Sequence, residues 1–307
     1  MKKAVTPDML AQALAGPDRL MAPPRNPARM PQAVENVAAD MTVNPLWDVA
    51  QGVGAVATGN AGAPEVGAGI MSGLGMMSPM SPAIFAGPMA KTANKTAMAL
   101  AEQLQKRGAS RDEIWNQTGW FQGADKKWRF EIPDQNLRVS KGEGTGLTGE
   151  SGVIAHPELA AAYPDAQLSH SVKTGFMQPF EGALDRSATP PMLSASAKTG
   201  GAARGAVAHE LQHFVQGQEG FARGTNPEAE ARRLAAIMGG RDDLVMSNVA
   251  DKMYHRNAGE VEARNVQNRL YLTPEQRRAA PPWMTQDVPD ERQIIRGLAE
   301  ALMPQAK

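Results

Sequence analysis

The string His209-Glu210-Leu211-Gln212-His213 constrains this chain more than any other feature, because its chemistry requires a helix. On an α-helix, residues four apart lie about one turn from each other, so His209 and His213 stack on one face and both imidazoles reach a single ion. Zinc takes imidazole readily, and a catalytic zinc uses three protein ligands while keeping one position open. Glu210 sits about 100° further round the helix. That is a poor position for ligating the same ion and a good one for taking a proton from a water on it. Val207, Leu211, Phe214 and Val215 follow helical spacing and predict a buried stripe. The two His, with Gln216 beside them, then fall on an opposite, polar face expected to floor a cleft.

A third ligand must come from elsewhere, and the residues offer several. Glu219 lies six residues beyond His213, where an extended H-E-x-x-H-x-x-G-x-x-H pattern places its last ligand, but Gln216 stands where that pattern has its Gly. His255, in Tyr254-His255-Arg256, is a ligand by type, and with Tyr254 it is also a candidate donor to a bound carbonyl. Glu260 and Glu262 lie on a segment whose Gly259, Ala263, Val266 and Leu270 form a small-residue stripe suited to close helix packing. They are about 200° apart on a helix, so at most one points at a given ion. Spacing alone leaves Glu219, Glu260 and Glu262 all open.

Lys+Arg and Asp+Glu both number 32, so no net field draws the chain to nucleic acid, and direct nucleic-acid binding is not expected. With no cysteine, any metal must be held by His and carboxylates. Thr6, Pro7, Asp8 and Gln12 interrupt the apolar run that a secretory signal needs after Met1-Lys2-Lys3, so no such signal is expected.

The chain divides by composition. Residues 1–89 hold one helical candidate, Pro7 to Ala15, then a Pro-rich arm around Pro23, Pro24 and Pro27. From Val49 to Ala90 the composition turns to Gly, Ala and Met, with Glu65 the only charge. Val66 to Met77 is shorter than the roughly 20 apolar residues of a bilayer span. That stretch is read either as a membrane- or virion-protein-contacting segment or as a small-residue helical hairpin packed on protein. Over residues 90–307 the patterning predicts an α+β, mainly helical domain. Its helices are expected at Ala90–Gly108, from a Ser110–Glu113 capping box through Trp115, and at Pro157–Tyr163. Further helices are expected from Pro227 to Gly239 and at Asp242–Tyr254, Ala258–Leu270, Pro274–Ala279 and Asp290–Met303. Trp128, Phe130 and Ile132 alternate as a strand, with Trp120 and Phe121 across a turn as its hairpin partner. Gln167–Val172 and Met192–Ser196 are further strands of a small antiparallel sheet, and Gly142–Gly152 reads as a loop.

The motif and the acidic helix downstream of it resemble a zincin-type metallopeptidase. Glu260-Val261-Glu262-Ala263-Arg264 is similar to the E-x-x-A-N pattern of peptidases that cleave phage repressors, with Arg264 in place of Asn. That resemblance implies Glu260 as the third zinc ligand beside His209 and His213, Glu210 as general base, and a peptide or protein substrate. It also implies that the strand before the motif helix, Met192–Ser196, pairs with that substrate; another amide is the alternative target. More narrowly, residues from about 105 to 272, including Thr118-Gly119-Trp120-Phe121 and Glu219-Gly220-Phe221-Ala222-Arg223-Gly224, resemble the large polyvalent protein-associated domains of phages and mobile elements. That implies a protein carried in a virion or delivered with DNA into a host cytoplasm. A non-enzymatic virion or interaction protein with a structural zincin-like frame is the competing expectation.

Overall fold

Strand structure begins earlier than the change in composition implies. The computed structural model describes residues 82–150, 152–175, 181–237 and 244–295, which belong to a unit spanning Met77–Lys307. Pro82–Ala86 (β1), in the stretch read either as a membrane- or virion-protein-contacting segment or as a helical hairpin, is a strand paired antiparallel with Trp128–Pro133 (β3). The expected hairpin is present. Trp120–Gln122 (β2) pairs with β3 in the register Trp120↔Phe130, giving a sheet in the order β1-β3-β2. Before it come Lys95–Lys106 (α1) and Arg111–Thr118 (α2). The first starts later than expected because Asn94, not a residue near Ala90, accepts the capping bond from Ala97 N at 2.9 Å. Ser110 caps the second through Glu113 N at 3.1 Å, while Glu113 accepts from Gln117 rather than closing the box.

The larger sheet is mixed. Arg138–Val139 (β4) and Ile154–Ala155 (β6) form a short pair, and Pro157–Ala162 (α3) follows. Gly142–Thr145 (β5), expected as loop, joins Ser169–Thr174 (β7), Glu181–Asp185 (β8) and Met192–Ala197 (β9) in the order β5-β7-β9-β8. The sheet is antiparallel as expected at β5–β7 and β8–β9, but β7 and β9 run parallel, and β8 is the edge beside β9. β8 lies between them in sequence, so the chain can leave β7 along the sheet's edge and return alongside β7 in the same direction.

Gly200–Glu219 (α4) carries the motif and packs against β9, β8, β1 and Ala258–Arg269 (α7). Alternate residues of β9 (Leu193, Ala195, Ala197) are buried against Val207, Leu211, Phe214 and Val215 of α4, each of which is 2% exposed or less. Pro227–Ile237 (α5) and Leu244–Arg256 (α6) lead to α7. Pro274–Ala279 (α8) and Pro282–Thr285 (α9) complete the described helices. Buried pairs Arg269–Glu131 (2.8 Å) and Arg277–Asp134 (3.1 Å) tie α7 and α8 to the end of β3. Of the expected final helix, only Asp290–Arg292 is helical among the described residues, as a 3-10 turn. The backbone then extends so that Ile294 N donates to Arg256 O at 2.7 Å and Ile294 O accepts from Ala258 N at 2.9 Å. The helix expected at Pro7–Ala15, the Pro-rich arm and the apolar stretch up to residue 81 lie outside the described residues. Among the described residues, no helix is long and apolar enough to cross a membrane.

Candidate metal centre

Thr199 starts α4 by accepting from Ala202 N at 3.2 Å, and Gly220 ends it in the left-handed conformation. The helix was expected to show a packed back and a polar front. Instead it is covered almost all round: Glu210, Gln212, His213, Gln216 and Glu219 are buried along with the apolar stripe. The polar side is enclosed because α7 and β1 lie over it.

Two imidazoles and one carboxylate meet there. His209 Nε2 and His213 Nε2 are 3.1 Å apart, His213 Nε2 is 3.3 Å from Glu260 Oε1, and His209 Nε2 is 3.4 Å from Glu260 Oε2. Ligands held about 2.0–2.1 Å from a tetrahedral zinc stand about 3.3 Å from one another. The three separations therefore have the edge length of such a site, and the donor set of two nitrogens and a carboxylate oxygen suits zinc. Asn257 positions the acid by capping α7: its Oδ1 accepts from Gly259 N (2.9 Å) and Glu260 N (3.2 Å). Glu260 thus lies in a helix first turn, where the macrodipole favours a carboxylate. It also accepts from Thr225 N at 2.8 Å.

A second layer fixes the ring of His213. Gln216 Nε2 donates to Gly259 O at 2.8 Å, which turns Gln216 Oε1 towards His213 Nδ1 at 2.9 Å. An oxygen facing Nδ1 places the hydrogen there, and the neutral ring then offers its Nε2 lone pair to the group. Behind Gln216, Glu262 Oε1 accepts from Gln212 (2.7 Å) and Gln216 (3.3 Å), and Glu262 Oε2 accepts from Arg129. Arg129 also donates to Asp125 at 2.7 and 3.0 Å, and its guanidinium lies 3.9 Å above the Phe221 ring. Gln212 in turn exchanges two bonds with the backbone of Phe85 in β1, at 2.9 and 3.1 Å.

Close approaches shape the rest. A Cβ on Gly224 would overlap Glu260 Oε1 and His213 Cε1, and one on Gly259 would overlap the backbone of Arg223 and Gly224. The segment after α4 therefore lies tight over the group only because both positions are Gly. On the other side β8 passes so near that a Cβ on Gly182 would stand 2.5 Å from Glu210 Oε1. Glu210 has no hydrogen-bond partner among the described residues. Burial pushes its carboxyl up from the usual range, and the neighbouring imidazoles only partly oppose this. Burial would also raise Glu260, yet His213 and His209 outweigh it and hold Glu260 well below the ordinary carboxylate range. His213, pushed down by burial, is carried up to about 9 mainly by Glu260. Metal binding would have to displace the proton that these two groups share. Burial and the Glu260 carboxylate push the Tyr254 phenol up to about 12.

Of the open alternatives, Glu260 is the one brought to the imidazoles. Glu262 faces the opposite way, into the Arg129 network. Glu219 anchors the turn after β1, accepting from Met89 N, Ala90 N (3.0 Å) and the Tyr163 hydroxyl (2.7 Å). His255 points to solvent beside Asp251 at 3.8 Å. Arg129, Gln212 and Arg186, whose Nη2 donates to His213 O at 2.9 Å, were not read from sequence as parts of the site. Gln216 was placed beside the two His by its spacing, three residues after a ligand on the same helix face, but its bond to His213 Nδ1 was not foreseen.

Residues 83–140 match the family model described as large polyvalent protein associated domain 23. The matched stretch runs from β1 to β4 and overlaps the resemblance expected from about 105 to 272 only in part; it ends before α4 begins. It contributes Phe85, Asp125 and Arg129, the residues that brace Gln212 and Glu262 behind the metal-type group. No curated protein and no solved structure matches the chain.

Proposed function

We propose that the chain is a zinc-dependent peptide hydrolase of a phage or mobile element, with His209, His213 and Glu260 as ligands and Glu210 as general base. One observation carries the reading: three donor atoms of zinc-binding type, from two helices, at 3.1, 3.3 and 3.4 Å. A zinc ion held there supplies Lewis acidity, activating water and polarising a carbonyl near neutral pH. Glu210, its carboxyl pushed up by burial and without a hydrogen-bond partner among the described residues, takes the proton of the attacking water and passes it to the leaving amine. Gln216 keeps the His213 ring in the tautomer that presents Nε2. The strand expected to pair with substrate, Met192–Ser196, is interior to the sheet and bonded on both sides. The edge strand β8, passing Glu210 at Gly182, takes that part for an extended peptide.

The reading is tested on the full chain. Metal analysis is expected to find about one zinc per chain, lost on His209→Ala, His213→Ala or Glu260→Ala. Glu210→Gln is expected to keep the zinc and lower peptide cleavage by about 10²–10⁴; unchanged cleavage in that variant removes Glu210 from its role. The burial of the ligand side chains, 12%, 9% and 3% exposed, favours a second reading in which the ion is structural and the protein is a non-enzymatic virion or interaction component. Stoichiometric zinc with no cleavage of unstructured protein supports that one.

A further inference from the structure

One buried carboxylate near the candidate centre has no part in the chemistry above. Glu230, on the first turn of α5, is 1% exposed, whereas Glu228 in the same turn stands in solvent beside Arg232. Glu230 Oε1 accepts from the Thr225 hydroxyl at 2.7 Å. That bond is not needed to start the helix, because Asn226 already caps α5 by accepting from Ala229 N at 2.7 Å. A buried carboxylate is costly, and capping does not account for this one.

Thr225 belongs to the segment that lies over the ligand group after α4. That backbone gives one N–H to each of two side chains below it. Thr225 N donates to Glu260 Oε1 at 2.8 Å, and Gly224 N donates at 3.3 Å to Gln216 Oε1, the oxygen that faces His213 Nδ1. Carboxylates pin the segment on both sides. Upstream, Ala222 N donates to Asp125 Oδ2 at 2.9 Å; downstream, the Thr225 hydroxyl reaches Glu230. Gly224 cannot carry a side-chain anchor of its own, since a Cβ there would overlap Glu260 and His213. Loss of the downstream pin therefore lets the two N–H groups drift from the acid and the amide that they hold.

We propose that Glu230 is a positioning residue of the centre. Through the Thr225 hydroxyl it keeps the backbone of Gly224 and Thr225 where Thr225 N fixes the Glu260 carboxylate and Gly224 N fixes Gln216. Its effect on a bound zinc rests on the hydrolase reading above; its hold on the segment does not.

The test uses the full chain and two readouts: zinc affinity by chelator competition, and amide hydrogen exchange over residues 222–226 in the metal-free protein. Glu230→Leu removes the acceptor and is expected to lower zinc affinity about 10-fold and to speed exchange in that segment by at least ~10-fold. Glu230→Gln keeps an oxygen for the Thr225 hydroxyl and is expected to stay within ~3-fold of the wild type in both. Thr225→Val removes the hydroxyl while keeping the shape, and is expected to repeat the effects of Glu230→Leu. Combining the two should add nothing further, because both remove the same bond. Thr225→Val also decides the case if Glu230→Leu does not fold. If the wild type binds zinc, an affinity unmoved by Glu230→Leu and Thr225→Val overturns the positioning role. So does exchange that quickens evenly over α5 and α6, or a Glu230→Gln variant that behaves like Glu230→Leu. A wild type that holds no zinc, with the exchange pattern as expected, overturns the hydrolase reading and leaves the hold on the segment standing.

Discussion

Glu260 and Glu262 lie two residues apart on α7, both are nearly excluded from solvent, and their surroundings are opposite in kind. Glu262 ends in a closed network. Arg129 supplies a permanent cation, Gln212 and Gln216 supply amide donors, and Asp125 takes the remaining guanidinium edge. Two carboxylates share that one guanidinium: Asp125 is held below its usual value, while burial pushes Glu262 up. Glu260 has a neutral amide, Thr225 N, and two imidazoles, whose charge depends on a proton. Two ring nitrogens 3.1 Å apart, with carboxylate oxygens at 3.3 and 3.4 Å, form an acceptor-rich cage that a cation completes. A site that supplies its own cation is structural, whereas one left short of a cation is suited to receive an ion.

The largest effect expected from breaking this contrast is on stability. Arg129→Met leaves Asp125 and Glu262 facing each other without their cation, and urea unfolding of the metal-free protein should show a loss of about 3–5 kcal/mol. Glu260→Gln should cost the metal-free protein on the order of 1 kcal/mol, because His213 can release its proton. That variant should nevertheless abolish zinc retention. Equal losses from the two substitutions would show that the two acids play one role.

A smaller effect sharpens the link between the networks. Gln216 touches both, accepting from Gly224 N at 3.3 Å and facing His213 through the same oxygen. Gln216→Ala removes the partner that sets the His213 tautomer, so chelator competition should find zinc affinity lowered by about 10–100-fold. Stability should change less than for Arg129→Met.

The sequence made the two His legible because helical spacing converts directly into a shared face, and the elements around them were visible from caps, Gly ends and alternation. The choice of Glu260 over Glu262 was not visible in spacing, since it depends on what lies beyond each face of α7. Arg129, more than a hundred residues upstream, takes Glu262, and nothing local to Glu262 announces that pairing. Likewise β1 was hidden in a Gly/Ala/Met-rich stretch whose composition points away from strand; it extends because β3 pairs with it and because Phe85 N donates to Gln212 Oε1 while Phe85 O accepts from Gln212 Nε2. The parallel β7–β9 pair was hidden for a related reason, as pairing order is a property of tertiary contact rather than of alternation.

The finest distinction lies between two glycines that press on different members of the centre. Gly182→Ala would bring a methyl to 2.5 Å from Glu210 Oε1, the free end of a flexible side chain. The carboxylate can swing away at little cost in stability, about 0.5 kcal/mol. Its displacement should lower kcat/KM by roughly 10–100-fold, since a shift near 1 Å is enough to spoil proton transfer geometry. Zinc affinity should stay unchanged, because Gly182 touches no ligand. Gly224→Ala presses on Glu260 and His213 instead, so its primary effect should be on zinc affinity, with activity following at zinc levels that leave the wild type saturated. If both substitutions moved affinity and rate together, Glu210 would belong with the ligands rather than beside them, and the separation of base from metal set would fail.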